Sequence, residues 1–364
     1  MSITDISYQD QAIDCFQQAL VSGRLSHAYI LTGPSGVGKF STAKQLAKIL
    51  LCDKPVKINH GTDSCGKCQS CTLVRAGNHP DLHLVYKELI ATISGKELHK
   101  ATELGIDVIR QEVIEKIGKK AFVGKNKIFI ISEAHLMSRA AQNALLKTLE
   151  EPPQNTYLFL ICDHLGALLS TIRSRAQTLV FKILPDSFIY DRLIQAGANE
   201  KQGQYLTKFA AGRLAAALEL FRLGVYDLKE KIGKDLAVID PVFADDFASW
   251  ILEESKTLAQ KMIDDKDEEL TEAEVSESEM NRKALKLILS LIGNFCSDSL
   301  RYSLGFEEKT LTSSDQIKTV KALAEKNTIE QLRKKIMDLQ EAEKLIDANV
   351  NVTLVVTNVV NALA

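Results

Sequence analysis

The segment that most restricts what this chain can fold into is Gly33-Pro34-Ser35-Gly36-Val37-Gly38-Lys39-Phe40. It follows the apolar run Ala28–Thr32 and precedes a helix-like pattern over Phe40–Leu51. Glycines at these spacings let backbone N–H groups turn inward around a phosphate. The lysine adds a point charge, and the helix N-terminus adds its dipole. Between a strand and a helix this pattern is a phosphate-binding loop, and its whole length from Gly33 to Phe40 is a candidate nucleotide site. A chance glycine turn is the plainer alternative. The loop also implies a parallel sheet with helices on both faces. Strand-like runs at Leu82–Val85, Lys127–Ser132, Tyr157–Cys162 and Thr178–Phe181 alternate with helix patterns at Asp107–Ile117 and Ser138–Glu150, as such a sheet requires.

Two positions depart from a working site. After the lysine, Ser or Thr ordinarily supplies a hydroxyl to Mg²⁺. Phe40 cannot coordinate a hard cation, which takes oxygen ligands. Ser41 comes one residue late and points about 100° away around the helix. The run Lys127–Glu133 has the form of the acidic strand that completes these sites, normally ending Asp-Glu. Ser132 stands at the Asp position, while Glu133 remains, either as a vestigial catalytic acid or as an ordinary strand-end residue. The cradle can still hold ATP or ADP, but Mg²⁺ is not expected there.

Cys65-Gly66-Lys67-Cys68-Gln69-Ser70-Cys71 forms C-x₂-C-x₂-C, and Cys52 lies thirteen positions upstream. Four thiolates are the usual complement of a closed structural Zn²⁺ site. An iron–sulfur cluster is the chemical alternative, but the fourth close cysteine of the bacterial run is missing. His60 and His79 are further possible ligands, each also readable as a loop histidine. Cys15, Cys162 and Cys296 sit in apolar contexts and read as core residues. Free thiols suit a reducing compartment. The first residues carry neither a basic region nor an apolar core, so no signal peptide is expected. No apolar run reaches the ~18 residues of a membrane span. The chain is therefore expected in the cytoplasm, with no membrane partner.

A length of 364 residues accommodates two or three domains, and a net charge of −2 gives no bulk attraction to DNA. After Leu184-Pro185 the strand patterns stop. Asp186–Gly224 reads as short helices punctuated by Gly197, Gly203 and Gly212, and from about Tyr226 the pattern is helical, with long apolar-periodic stretches at Arg282–Leu304 and Ile329–Ala364. Between helices, Asp264–Glu279 carries nine acidic residues against one lysine and reads as a solvated loop or partly disordered insertion.

Together these features resemble the clamp-loader branch of the AAA+ ATPases. The phosphate loop, the four-cysteine insertion and Ala76-Gly77-Asn78-His79-Pro80-Asp81 carry the resemblance, with Ile106-Asp107-Val108-Ile109-Arg110 following. The long stretch Ala141-Gln142-Asn143-Ala144-Leu145-Leu146-Lys147-Thr148-Leu149-Glu150-Glu151-Pro152-Pro153 is its most specific part. Thr171-Ile172-Arg173-Ser174-Arg175 resembles the family's Ser-Arg-Cys motif, with Ala176 in place of Cys. Asn349-Val350-Asn351 is similar to the start of the last collar helix. The resemblance implies an α/β AAA+ P-loop domain over residues 1–183 with a zinc module at 52–71. It further implies a helical lid over 184–226 and an all-α collar over 227–364, enlarged by the acidic insertion.

It also implies a subunit of the bacterial DNA polymerase III holoenzyme that helps place a sliding clamp on primed DNA. Arg175 then takes the role of an arginine finger reaching a neighbour's ATP site. Arg213, in Ala-Ala-Gly-Arg, falls where a second sensor arginine would lie, although a surface arginine fits equally. The position near Cys162-Asp163 lacks the first sensor's usual Thr or Asn. The implied partners are gamma/tau-like ATPase subunits, a delta-like subunit, the clamp and DNA, with DNA held through phosphates. Three alternatives remain: an active gamma/tau-like ATPase, a free-standing P-loop kinase or helicase loader, and a zinc-dependent nucleic-acid module. The first needs Ser or Thr at 40 and Asp at 132. The second leaves the Leu-Leu-Lys-Thr-Leu-Glu-Glu-Pro-Pro segment unexplained. The third lacks a basic, aromatic-rich patch near Cys65–Cys71.

Overall fold

The computed structural model describes residues 2–58, 61–94, 103–240, 242–267, 277–348 and 350–363. They form two compact units, one of residues 1–184 with Arg213–Ala215, the other of 185–212 and 216–364.

In the first unit, β1 (Ala28–Thr32), β2 (Val56–Ile58), β3 (Gly61–Asp63), β4 (Leu82–Val85), β5 (Lys127–Ile131), β6 (Thr156–Cys162) and β7 (Gln177–Val180) follow in chain order. Five of them build a parallel sheet in the order β4-β5-β6-β1-β7. The strands expected from sequence are all present, shifted by a residue at some ends. Because side chains alternate across a strand, each strand feeds two cores. Tyr29, Leu31, Phe159 and Ile161 pack with Leu46 and Leu50 of the helix Lys39–Leu51 on one face. Ala28, Ile30, Leu158 and Leu160 pack with Val108, Leu145 and Leu149 on the other. Burial on both faces explains why β1 and β5 read as unbroken apolar runs. The helix expected over Asp107–Ile117 is helical from Ile106 to Ile117, with a π turn at Arg110–Ile114.

One feature had no sequence expectation. β2 and β3 pair antiparallel as a small hairpin beside the cysteines. The pair Thr62 N–H to Gln17 Oε1 (2.8 Å) and Gln17 Nε2–H to Thr62 O (2.8 Å) ties it to the helix Asp10–Val21.

The second unit holds helices and no strand among the described residues. Asp186–Gln195, Glu200–Ala210 and Leu214–Arg222 are the short helices expected after Pro185, though Gly203 lies inside one. Val225–Val238, Ala244–Asp267, Glu277–Ser303 and Ile317–Lys326 follow. The single stretch expected over Ile329–Ala364 is instead two helices, Ile329–Asp347 and Val352–Leu363. The second begins where Asn351 Oδ1 accepts the N–H of Thr353 at 3.0 Å, an N-cap that competes with continued helix. Asn349 lies outside the described residues. The acidic run is helical at both edges, at Asp264–Asp267 and Glu277–Glu279, so a loop reading is wrong for those turns. Residues 268–276 lie outside the described residues.

At the centre of this unit, fully buried Lys229 meets Asp315 at 2.6 Å. The lysine ammonium stands over the rings of Tyr205 and Tyr226, and the Tyr226 hydroxyl donates to Asp315 at 2.8 Å. Burial pushes the Lys229 pKa down, against the pull of Asp315.

Candidate functional site

The phosphate loop leaves the C-terminal edge of the sheet at β1 and enters the helix Lys39–Leu51 through Gly38, whose φ is +96°. Gly33 has φ +145°, and a Cβ there would stand 2.3 Å from the Phe181 carbonyl oxygen. No other residue fits. Phe40 is 42% exposed, so its ring is not a core residue that merely happens to follow the lysine. Ser41 is exposed, and the first hydroxyl turned inward belongs to Thr42, which donates to Gly38 O at 2.8 Å.

Lys39 is only 5% exposed. Its Nζ donates to Gly33 O (2.6 Å) and Pro34 O (2.6 Å) and pairs with Asp163 Oδ1 at 2.8 Å. An ammonium has three N–H donors, and these three oxygens engage all of them. Asp163 directly follows β6, the neighbour of β1, so sheet order alone brings it to the loop. Sequence reading noted this position only as a lost sensor. The signal for its second role, a carboxylate facing the lysine, depends on knowing which strands are adjacent.

One strand further over, Ser132 and Glu133 follow β5. Ser132 donates its N–H to Val85 O (2.8 Å). Glu133 is held at φ +49°, uncommon for a residue with a side chain, and its carboxylate lies 3.9 Å from Lys87 Nζ. Lys87 was not singled out from sequence. Arg213 opens the helix Leu214–Arg222 and groups with the first unit.

Arg175 occupies the other end of the sheet. It lies between the helix Ser170–Arg173 and β7, whose first residue Gln177 pairs with Tyr29 at the start of β1. The four steps from Tyr29 to Gly33 span roughly 13 Å of strand, so Arg175 stands an entire strand length from its own phosphate loop. Its guanidinium donates to Thr171 O (3.0 Å) and Ser174 Oγ (3.3 Å) and pairs with Glu150 Oε1 at 2.7 Å. Arg173 is exposed.

The cysteines converge. One sulfur from each of Cys52, Cys65, Cys68 and Cys71 lies within 4.8 Å of every other. Gly66, at φ +70°, makes the tight turn between the first two of the close set. Cys68 caps the helix Gln69–Arg75, and its sulfur accepts the Cys71 N–H at 3.4 Å. The backbone N–H groups of Lys67 and Cys68 lower the Cys65 thiol to about 6, while burial raises Cys71 and Cys52. A half-buried set with opposed tendencies does not ionise together by itself. A divalent cation at its centre would stabilise four thiolates at once, so the residues fit a closed metal centre. His79 is not part of the cluster: it is buried, and its Nδ1 accepts the Asp81 N–H at 3.1 Å. His60 lies outside the described residues.

The family described as "DNA polymerase III, delta subunit" matches residues 8–185, and "DNA polymerase III, delta subunit, C terminal" matches 257–363. DNA polymerase III subunit delta' of Bacillus subtilis is 30% identical over 344 residues, covering 94% of this chain and 92% of that protein. The Escherichia coli subunit delta' is 34% identical over 221 residues, 60% of this chain and 62% of its own. The Haemophilus influenzae subunit tau/gamma is 33% identical over 194 residues, 53% of this chain and 25% of its own.

Proposed function

The chain belongs to the delta-prime family of DNA polymerase III clamp-loader subunits, and from that membership we propose that it acts without hydrolysing ATP and lends Arg175 to a neighbour's ATP site. The observation that carries this reading is the placement of Arg175 on the sheet edge opposite its own phosphate loop. A guanidinium there is of no use to the chain's own nucleotide, and its surface pair with Glu150 is weak enough to be exchanged for a site brought up by another subunit. Inside that site it would stabilise charge developing on the γ-phosphate, a contribution worth orders of magnitude in rate.

The chain's own loop supports the complementary half. Phosphoryl transfer relies on positioning and charge neutralisation, and Phe40 and Ser132 remove both side chains that would steady Mg²⁺. Lys39 is already satisfied by two carbonyls and Asp163. Against the active gamma/tau-like reading stand Phe40 and Ser132, which occupy the two positions where it needs Ser or Thr and Asp. In the proposed role the chain joins gamma/tau-like ATPase subunits and a delta-like subunit in the cytoplasm, beside the nucleoid, and the assembly places the clamp on primed DNA. The four cysteines hold a structural Zn²⁺, and residues 184–226 and 227–364 serve as lid and collar. The chain would then be part of a DNA-directed DNA polymerase holoenzyme rather than an enzyme by itself.

The test is ATP hydrolysis by the purified chain with Mg²⁺, alone and after mixing with its cognate ATPase and delta-like subunits. We expect background turnover alone, and DNA-stimulated turnover with clamp loading only when the chain is included. Robust turnover by the chain alone would sink this reading.

A further inference from the structure

A cavity of about 690 Å³ opens within the helical unit, a volume in the range of small-ligand sites. No residue of the phosphate loop, the Arg175 segment or the cysteine cluster lines it. Its walls are the helices Asp186–Gln195 and Glu200–Ala210 and the segment 308–314. Each wall is fixed. Gly203 lies mid-helix, where glycine is unfavourable. A Cβ there would stand 2.9 Å from the Tyr190 ring, so the glycine makes room for that ring on the facing helix. The segment 308–314 is tied down by Lys208, whose ammonium donates to Lys309 O (2.7 Å) and Leu311 O (2.8 Å). Buried Asp298 secures its far end by accepting the Ser313 N–H at 2.7 Å.

The polar groups around this cavity are unequally satisfied. Glu308 pairs with Lys321 at 2.7 Å, and Lys309 with Glu307 at 2.8 Å. Lys208 has already given two of its three N–H donors to carbonyls. Asp186 and Asp191 have no cation partner among the described residues. Asp186 stands in the first turn of its helix, where the dipole favours an acid whatever lies opposite. Asp191, at the sixth position, gains nothing from that dipole. Thr207 also lines the cavity, is 4% exposed, and has a hydroxyl without a hydrogen-bond partner. A threonine inside a helix can bond the carbonyl four residues back, and a buried hydroxyl left unpaired is costly. This one is left for a group that enters the cavity.

An anion would meet the two open carboxylates. A metal ion would need ligand oxygens that converge, and among the described residues only the four cysteines form such a cluster. Carboxylates, a hydroxyl acceptor and an aromatic ring favour an organic cation instead. The cavity exceeds one ammonium, and Ser187 and Gln204 line it with groups that suit peptide amides. We propose that it receives one lysine or arginine side chain of a peptide segment. Asp191 pairs the charge, Thr207 accepts an N–H of the cation, and Ser187 and Gln204 meet the flanking backbone.

The probes are acetyl-Gly-Arg-Gly-amide, its Lys and Gln counterparts, and spermidine. Each is titrated into the full chain with isotope-labelled threonine methyl groups, the Thr207 signal being assigned from its absence in Thr207→Val. At least one basic tripeptide should shift that signal saturably, at millimolar affinity, and the Gln tripeptide should not. Asp191→Asn should weaken the binding by about threefold or more. Thr207→Val should weaken it by about fivefold in calorimetry, while folding at least as stably as the wild-type chain. No saturable shift with either basic tripeptide would overturn the proposal. An equal response to the Gln tripeptide, or wild-type affinity in Asp191→Asn, would do the same. Tighter binding of spermidine than of both basic tripeptides would also overturn it, in favour of a free polyamine.

Discussion

Asp163 holds the lysine that a nucleotide phosphate would need. A nucleotide phosphate entering the cradle would take Lys39 from Asp163 and then sit beside an unpaired carboxylate. Two like charges about 4 Å apart repel by about 4 kcal/mol at an effective dielectric near 20, before screening. Asp163→Asn should therefore strengthen ADP binding by roughly tenfold or more in titration calorimetry without Mg²⁺. No gain would show that Asp163 is not what limits the loop. Asp81 gives a second prediction at this scale, since its buried carboxylate accepts the backbone N–H groups of Phe122, Val123 and Gly124. These bonds outweigh burial and depress its folded pKa, so its stabilising effect is complete above the unfolded value near 3.9 and is lost as pH falls through the lower folded value. The stability difference between the wild-type chain and Asp81→Asn should thus shrink as pH is lowered from about 5 to about 3, followed by urea denaturation. A difference that stays constant would contradict the ionised-anchor description.

Among the elements, the four-cysteine cluster was the part most open to reading in advance. The spacing of Cys65, Cys68 and Cys71 is local, and Gly66 supplies the only backbone freedom the turn requires. Cys52 was harder, since its approach depends on how the helix Lys39–Leu51 ends, and the structure brings it into the cluster. The neighbouring β2–β3 hairpin was not legible. Three-residue strands carry too few side chains for a period of two to show. The same limit of local patterns hid the break between Ile329–Asp347 and Val352–Leu363, where apolar spacing carries on across a cap. Metal analysis of the purified chain should find about one Zn²⁺ per chain. Cys68→Ser should lose it and unfold the segment around 52–71 first, as read by hydrogen exchange. Retention of full metal in that variant would remove Cys68 from the ligand set.

On the scale of the whole molecule, two kinds of charge have been separated. Lys229 and Asp315 are structural, caged by aromatic rings inside the helical unit. Removing one partner of a buried pair leaves the other charge uncompensated, which costs about 3–5 kcal/mol. Asp315→Ala should lower stability by that order in urea unfolding, while Lys229 with Asp315 both replaced by apolar residues should cost less. Arg175 is of the opposite kind. Its partner Glu150 is 50% exposed, and a surface pair of this sort contributes about 0–1 kcal/mol, so it is readily released. What sequence could not settle was its distance from its own phosphate loop, because that follows from the pairing of β7 with the start of β1. The most direct test of the account is the ATPase rate of a reconstituted loader carrying Arg175→Ala in this chain alone. The account predicts normal assembly and a neighbour's turnover reduced by about 10³-fold or more at the site that Arg175 completes. An unchanged rate at every site in a fully assembled complex would contradict it.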